Sequence, residues 1–239
     1  MNFQPYQVLD SPLVIDNVLP SNIADSYSNV LLNNIELGLG GSGTSTISHE
    51  WCESQGLNNI YEQFQLINLV KGIEDNNPLN TQMWHLITLP FTLACLKLGI
   101  YYFTEGMLKC KINIQTRAPE KSRGKYNFPH TDYFGNKSDS ITALYYVNDS
   151  DGDTYFFNKF QYNEDDDKID ISQYKNLKIV KQISPKKGRM VLFNTSQLHS
   201  GSHPIDHDKR IVINYNCITF PFFTDKEKEK NLIQNVIKQ

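Results

Sequence analysis

Residues 107–115 read Met107-Leu108-Lys109-Cys110-Lys111-Ile112-Asn113-Ile114-Gln115. Leu108, Cys110, Ile112 and Ile114 alternate with Lys109, Lys111, Asn113 and Gln115, a period of two that puts one set on each face of an extended chain. Working outward toward the C-terminus, 141–147 (ITALYYV), 154–158 (TYFFN), 177–184 (LKIVKQIS), 189–194 (RMVLFN) and 210–218 (RIVINYNCI) are further strand-like runs. Turn-forming clusters at 148–153, 185–188 and 200–208 divide them. Many short strands at such spacing predict a sandwich or barrel, a class that includes the jelly roll.

Toward the N-terminus the period changes. Ile23, Tyr27, Val30 and Leu31 predict a helix over 20–33 with Ser21 as its N-cap. Residues 58–73 and 80–100 are apolar at helical spacing, interrupted at Asn77-Pro78 and kinked or ended near Pro90. Both read as helices packed on a sheet. Residues 38–45 are rich in Gly and Ser, and without a following Gly-Lys-Ser/Thr they read as a loop or lid and not a phosphate cradle. Thr224-Asp225-Lys226-Glu227 is a capping box that opens a polar helix to Lys238. The expected organisation is one domain: a supporting region over 1–106, a β core over 107–222 and a terminal helix over 223–239.

The 239 residues suffice for one full core, and the formal net charge is −3. A nucleic-acid-binding surface would show a basic stripe, and none is visible, so no nucleic-acid partner is expected. The charge runs 165–167 and 226–230 read as solvated surface. The first five residues have neither a basic nor an apolar secretory signature, and no apolar run reaches the length of a membrane span. A cytoplasmic protein without a membrane partner is therefore expected. Cys52, Cys95, Cys110 and Cys217 lack paired spacing and read as free thiols.

Phe128-Pro129-His130-Thr131-Asp132 carries the chemistry. Side chains one residue apart on extended chain share a face, so His130 and Asp132 can bind one metal together. His199 follows the strand at 189–194 and completes a 2-His-1-carboxylate set of the kind that holds non-haem iron(II) and leaves positions open. His203 and His207 compete with His199, but either would leave too few residues to close a loop before Arg210. Arg210 opens an alternating strand whose face also carries Val212, Asn214 and Asn216, and its planar fork can grip a carboxylate. Tyr146, on the same face as Thr142 and Leu144, can add a hydrogen bond there. His49 and His85 read as surface or core histidines. Asp149, Asp151 and Asp153 fail the remaining positions of a calcium loop and read as a solvated turn. The aromatic residues at 155–160 read as core and rim.

Taken together, residues 128–158 and 186–216 resemble the prolyl 4-hydroxylase-like branch of the 2-oxoglutarate/Fe(II) oxygenase superfamily. The similar stretches are His130-Thr131-Asp132, the run ITALYYVND, Asp151 to Phe156, Lys187 to Phe193, His199-Ser200-Gly201 and Arg210. The resemblance implies a mainly β fold with flanking helices, a double-stranded β-helix of the jelly-roll, cupin-like kind. It implies that His130, Asp132 and His199 bind Fe(II), that Arg210 binds the C5 carboxylate of 2-oxoglutarate, and that Tyr146 assists. With O2 as co-reactant and ascorbate as a reductant, the implied activity is hydroxylation of a prolyl or other side chain in a peptide or protein. A hydroxylase of a free amino acid or small metabolite is the alternative, and an inactive jelly-roll binding module is the alternative of another class. Because Asp132 is present, hydroxylation is expected over halogenation. Three departures stand out: Asp151-Gly152-Asp153-Thr154 replaces a Gly-Gly turn, Gln115 or Arg117 stands where relatives carry a tyrosine, and Asn216 stands where the nucleic-acid demethylase branch has arginine.

Overall fold

The structure, a computed structural model, describes residues 11–34, 38–40, 49–61, 65–71, 81–98, 107–132, 140–158 and 171–218. In chain order the elements are β1 (Leu13–Ile15), α1 (Ser21–Asn34), β2 (Gly38–Gly40), α2 (His49–Ser54), β3 (Gln65–Lys71), α3 (Thr81–Leu98) and β4 (Met107–Thr116). Then follow a 3-10 turn (Glu120–Ser122), β5 (Ser140–Tyr146), β6 (Thr154–Phe157), α4 (Ile171–Lys175), β7 (Ile179–Ile183), β8 (Met190–Asn194), β9 (His199–Gly201) and β10 (Lys209–Ile218). An antiparallel sheet in the order β1-β8-β5-β10-β4-β3-β2 faces a smaller one in the order β7-β6-β9. This is the double-stranded β-helix.

The alternation of β4, β5, β8 and β10 explains the layering. Cys110, Ile112, Ile114, Ile141, Ala143, Tyr145, Met190, Leu192, Ile211, Ile213, Tyr215 and Cys217 form one buried cluster with Ile87, Phe91 and Ala94 of α3. Each large apolar side chain in it contributes about 1.5–3 kcal/mol by leaving water. Phe91 stacks on Tyr215 with ring centroids 5.1 Å apart, and the Tyr215 hydroxyl donates to the Ile87 carbonyl. A second cluster fills the space between the sheets, where Leu144, Tyr146, Val191, Phe193 and Val212 meet Phe156 and Ile183. A third, with Tyr126, Phe128, Tyr155, Phe157 and Leu198, closes one end beside α2.

Several expectations are corrected. The helix expected over 58–73 is not there: residues 65–71 form β3, paired antiparallel with β4 from Leu66↔Ile114 to Lys71↔Cys110. Leu66, Leu69 and Val70 fit helical spacing, but the run from Leu66 to Val70 is short and apolar but for Asn68, and in such a run the available partner strand decides. Residues 38–40, expected in a loop, form β2 against β3, while 41–45 lie outside the described residues. Ser21 is the first residue of α1 and not its cap, since Ala24 N–H donates to the Pro20 carbonyl. α3 runs through Pro90 without ending there. Its neighbours hold the helix on the sheet despite the missing donor. The helix expected over 224–238 and the break at Asn77-Pro78 also lie outside the described residues.

Candidate metal and cosubstrate site

The segment leading to His130 is drawn onto β9 by backbone pairing. Asn127 N–H donates to the Gly201 carbonyl, His130 and His199 exchange N–H···O=C bonds of 2.9 and 3.0 Å, and Asp132 N–H reaches the Thr195 carbonyl. This antiparallel bridge sets the two imidazoles side by side, ring centroids 4.7 Å apart. His199 also packs edge-on against Phe193 at 4.6 Å. One ligand atom from each of His130, Asp132 and His199 lies within 4.8 Å of the others, and His199 Nε2 is 3.6 Å from Asp132 Oδ2.

The surrounding bonds prepare these atoms for a cation. His130 Nδ1 lies 3.1 Å from the Phe128 carbonyl, and His199 Nδ1 lies 3.0 Å from the Gln197 carbonyl. A carbonyl only accepts, so each Nδ1 carries the proton and each Nε2 keeps a lone pair, the arrangement that orients ligand histidines. Burial, reinforced by neighbouring His199, pushes His130 down to about 4, so its imidazole stays neutral. Burial acts to raise the Asp132 carboxyl, but His199, His130, Lys111 and the Asn214 amide hold it well below the usual range, ionised. Its Oδ2 accepts from Thr142 Oγ1 at 3.0 Å and Asn214 Nδ2 at 3.1 Å. Two imidazole nitrogens and a carboxylate suit iron(II). Among the described residues no thiol joins this set, and Cys110 and Cys217 lie in the cluster on the opposite face of the large sheet, where burial pushes both thiols up. The donor set therefore fits Fe(II).

One cavity contains the triad. Its wall runs along β4 through Lys109, Lys111, Asn113 and Gln115, and across β10 through Arg210, Val212 and Asn214, with Leu144 and Thr154 completing it. Arg210 is 5% exposed, and among the described residues no carboxylate lies within ion-pair distance of it. Its Nη1 donates to Gln115 Oε1 at 2.6 Å and its Nη2 to Thr154 Oγ1 at 2.8 Å, while its buried Nε has no partner. A buried cation with an unused donor is unfavourable unless an anion joins it. The residues thus fit the far carboxylate of a 2-oxo diacid. Glycines leave room for this arginine: a Cβ at Gly201 would stand 3.2 Å from Arg210 Nη1, and one at Gly152 would stand 2.8 Å from Arg210 Cδ.

The structure brings His199, and neither His203 nor His207, to His130 and Asp132. His203 is buried with Nδ1 on the Thr116 carbonyl. His207 is at the surface, 2.8 Å from Asp151. His85 is exposed on α3. Tyr146 lies beneath Arg210, the guanidinium carbon 5.6 Å from its ring centroid, and its hydroxyl bonds Thr154 Oγ1 at 2.7 Å. It supports the arginine from below, and the side chain reaching the cavity at that point is Thr154. Of the two wall candidates, Gln115 lines the cavity, whereas Arg117 is exposed and paired with Asp208. Asp151 departs from the solvated turn expected of it. Its carboxylate accepts the backbone N–H groups of Ile205, Asp206 and His207, tying down the loop between β9 and β10. The roles of Gln115 and Thr154 were not apparent from sequence. The one signal is that Gln115 is one of the two wall candidates and Thr154 lies in the Asp151 to Phe156 stretch that carries the resemblance.

Residues 116–217 match the family model described as the 2OG-Fe(II) oxygenase superfamily. No curated protein matches the chain. Among solved structures, a non-heme alpha-ketoglutarate-dependent epimerase from nogalamycin biosynthesis is similar at 12% identity and TM-score 0.54, over 87% of this chain and 76% of that one. An oxidoreductase of the 2OG-Fe(II) oxygenase family from Burkholderia pseudomallei is similar at 10% identity and TM-score 0.52, over 92% and 98%. A prolyl hydroxylase from Trichoplax adhaerens, in complex with a hypoxia-inducible-factor peptide, is 19% identical with TM-score 0.48, over 92% and 86%. At such identities the two likenesses with TM-scores above 0.5 speak to fold alone, and the family resemblance rests on the matched segment. That segment contains His130, Asp132, His199 and Arg210, so the similarity to the 2OG-Fe(II) oxygenase superfamily falls on the residues of the site.

Proposed function

We propose that the protein is a 2-oxoglutarate-dependent dioxygenase that hydroxylates a C–H bond in a prolyl or other side chain of a polypeptide. The observation that carries the oxygenase reading is the pairing, in one cavity, of the His130–Asp132–His199 set with a buried arginine that forms no ion pair among the described residues. The retained carboxylate of Asp132 favours hydroxylation over halogen transfer. The polypeptide reading rests on the prolyl-hydroxylase-like stretches at 128–158 and 186–216 and on the absence of a basic stripe in the sequence.

His130 Nε2, His199 Nε2 and Asp132 would hold the iron. Together with 2-oxoglutarate and O2, bound iron supplies the oxidising chemistry that a protein side chain lacks. The chain's own contribution is placement. Thr142 and Asn214 fix the Asp132 carboxylate, Arg210 and Thr154 receive the far carboxylate of 2-oxoglutarate, and Gln115 and Tyr146 hold Arg210 in position. Phe193 and Phe156 pack against His199 and exclude water behind it. Incubation with Fe(II), 2-oxoglutarate and ascorbate should release succinate in step with a mass gain of one oxygen atom on a peptide. Oxygen transfer only to free amino acids or other metabolites would replace the polypeptide reading with the small-molecule one. Demethylation of an alkylated oligonucleotide would overturn both.

A further inference from the structure

The cavity has a cationic end that the iron and cosubstrate residues do not use. Arg210 stands opposite Gln115, Val212 opposite Asn113, Asn214 opposite Lys111 and Asn216 opposite Lys109. Along β4 the wall therefore begins at the Arg210 end and continues to Lys111, level with the Asp132-binding Asn214, and then to Lys109. Four residues of strand separate Gln115 from Lys111, roughly 13 Å of rise. A 2-oxo diacid anchored at Arg210 is directed toward the triad, so these lysines lie at the end of the wall away from Arg210, Lys111 level with Asn214 and Lys109 one pair further on.

Both lysines are half-buried in the cavity wall, and among the described residues neither ammonium forms an ion pair or a hydrogen bond. Asp132 is the acid whose charge reaches Lys111, and it is committed to the metal. Cross-strand pairing puts Leu69 beside Lys111 and Ile67 beside Asn113 on the same face, and Leu69 is 41% exposed. The sheet thus presents two unpaired cations next to an apolar strip, the surface that suits an anionic group on a partly apolar molecule.

We propose that Lys109 and Lys111 bind a carboxylate of the primary substrate and so select acidic substrates. This rests on the oxygenase reading and specifies its substrate class. The carboxylate can come from an acidic residue beside the modified position of a peptide, or from a free amino acid.

The test uses the full chain loaded with Mn(II) and 2-oxoglutarate, and reads binding by ligand-observed NMR and calorimetry. One probe pool holds capped pentapeptides with Glu beside a central Pro, Lys or Asn, each matched to its Gln counterpart. The other holds free amino acids, each matched to its carboxamide. Carboxylate members of one pool should bind at least about tenfold more tightly than their amide counterparts, and the pool that does so identifies the source. Lys109→Ala should remove most of that preference, leaving Mn(II) and 2-oxoglutarate affinities unchanged, and Lys111→Ala should remove it with 2-oxoglutarate affinity unchanged. Lys111→Arg should retain it, and added salt should reduce it. Carboxylates no better than carboxamides, whether both bind or neither does, would overturn the proposal. So would a loss of 2-oxoglutarate affinity in the lysine variants, which would assign the lysines to the cosubstrate. Wild type that binds neither Mn(II) nor 2-oxoglutarate would overturn the oxygenase reading as well.

Discussion

The two faces of β10 are buried to the same degree and built on opposite principles. Ile211, Ile213, Tyr215 and Cys217 face α3 and are closed off by apolar neighbours. Arg210, Val212 and Asn214 face the cavity, with Asn216 further along the same face, and Arg210 Nε, Asn214 Oδ1 and Asn216 Oδ1 are buried without hydrogen-bond partners among the described residues. Unsatisfied polar groups of this kind are destabilising, about 1–3 kcal/mol each. The outer face is complete as it stands, whereas the inner face is stabilised by what binds there. Packing therefore predicts where a substitution harms folding, and orphaned donors predict where it harms binding.

The largest effects should fall on the inner face and be confined to ligand binding. His130→Ala, Asp132→Ala and His199→Ala should each abolish 2-oxoglutarate turnover and metal binding, measured by succinate release and Mn(II) titration. His203→Ala and His207→Ala should retain most of both. If His203→Ala abolished turnover and His199→Ala did not, the separation of ligand from bystander would be wrong. On the outer face, Ile213→Ala should reverse the pattern. It should lower unfolding free energy by about 2–5 kcal/mol in chemical denaturation, as large-to-small core changes do, while Mn(II) affinity of the folded fraction stays near wild type.

Between these extremes, Gly201→Ala sharpens the comparison, because the added methyl would press on Arg210 from the backbone side. A loss of about 1–3 kcal/mol is expected from such overpacking, appearing mainly in 2-oxoglutarate affinity. Tyr146→Phe removes the hydroxyl that meets Thr154 and should weaken cosubstrate binding by about 1 kcal/mol. An unchanged affinity would confine Tyr146 to packing.

The smallest effect concerns acid. Burial acts to raise the Asp151 carboxyl, but the N–H groups of Asp206 and Ile205 and the His207 side chain and N–H hold it well below the usual range. A lowered folded-state pKa gives stability that is present above the unfolded value, about 3.9, and lost as pH falls toward the folded one. Thermal unfolding of wild type should thus become more acid-sensitive below pH of about 4 than that of Asp151→Asn. Parallel pH profiles would remove Asp151 as the anchor of the β9–β10 loop.

The legibility of the sequence follows the same contrast. β4 and β10 each carry one apolar and one polar face, so their alternation was readable before any partner was known. β3 carries apolar residues on both faces, Leu66 opposite Ile114 and Leu69 opposite Lys111, so no period of two shows and only pairing with β4 identifies the strand. β9 is three residues long, too short for any period, yet its bridge to His130 assembles the triad. The His-x-Asp and Arg210 stood out because their motifs occur in order along the chain. The partners of Arg210 did not, since Gln115 is 95 positions away and Thr154 is 56, and nothing local marks a contact made to a neighbouring strand or to the facing sheet. Among the described residues no helix is long and apolar enough to cross a membrane.

The central claim is that Arg210 is a buried cation awaiting an anion, in a cavity shared with a metal. Calorimetric titration of 2-oxoglutarate into wild type and Arg210→Ala, each loaded with Mn(II), tests it most directly. Wild type should bind, and Arg210→Ala should bind about thirtyfold or more weakly, the consequence of losing a buried charge pair worth about 2–5 kcal/mol, with Mn(II) affinity unchanged. Equal 2-oxoglutarate affinities in the two proteins would contradict the account.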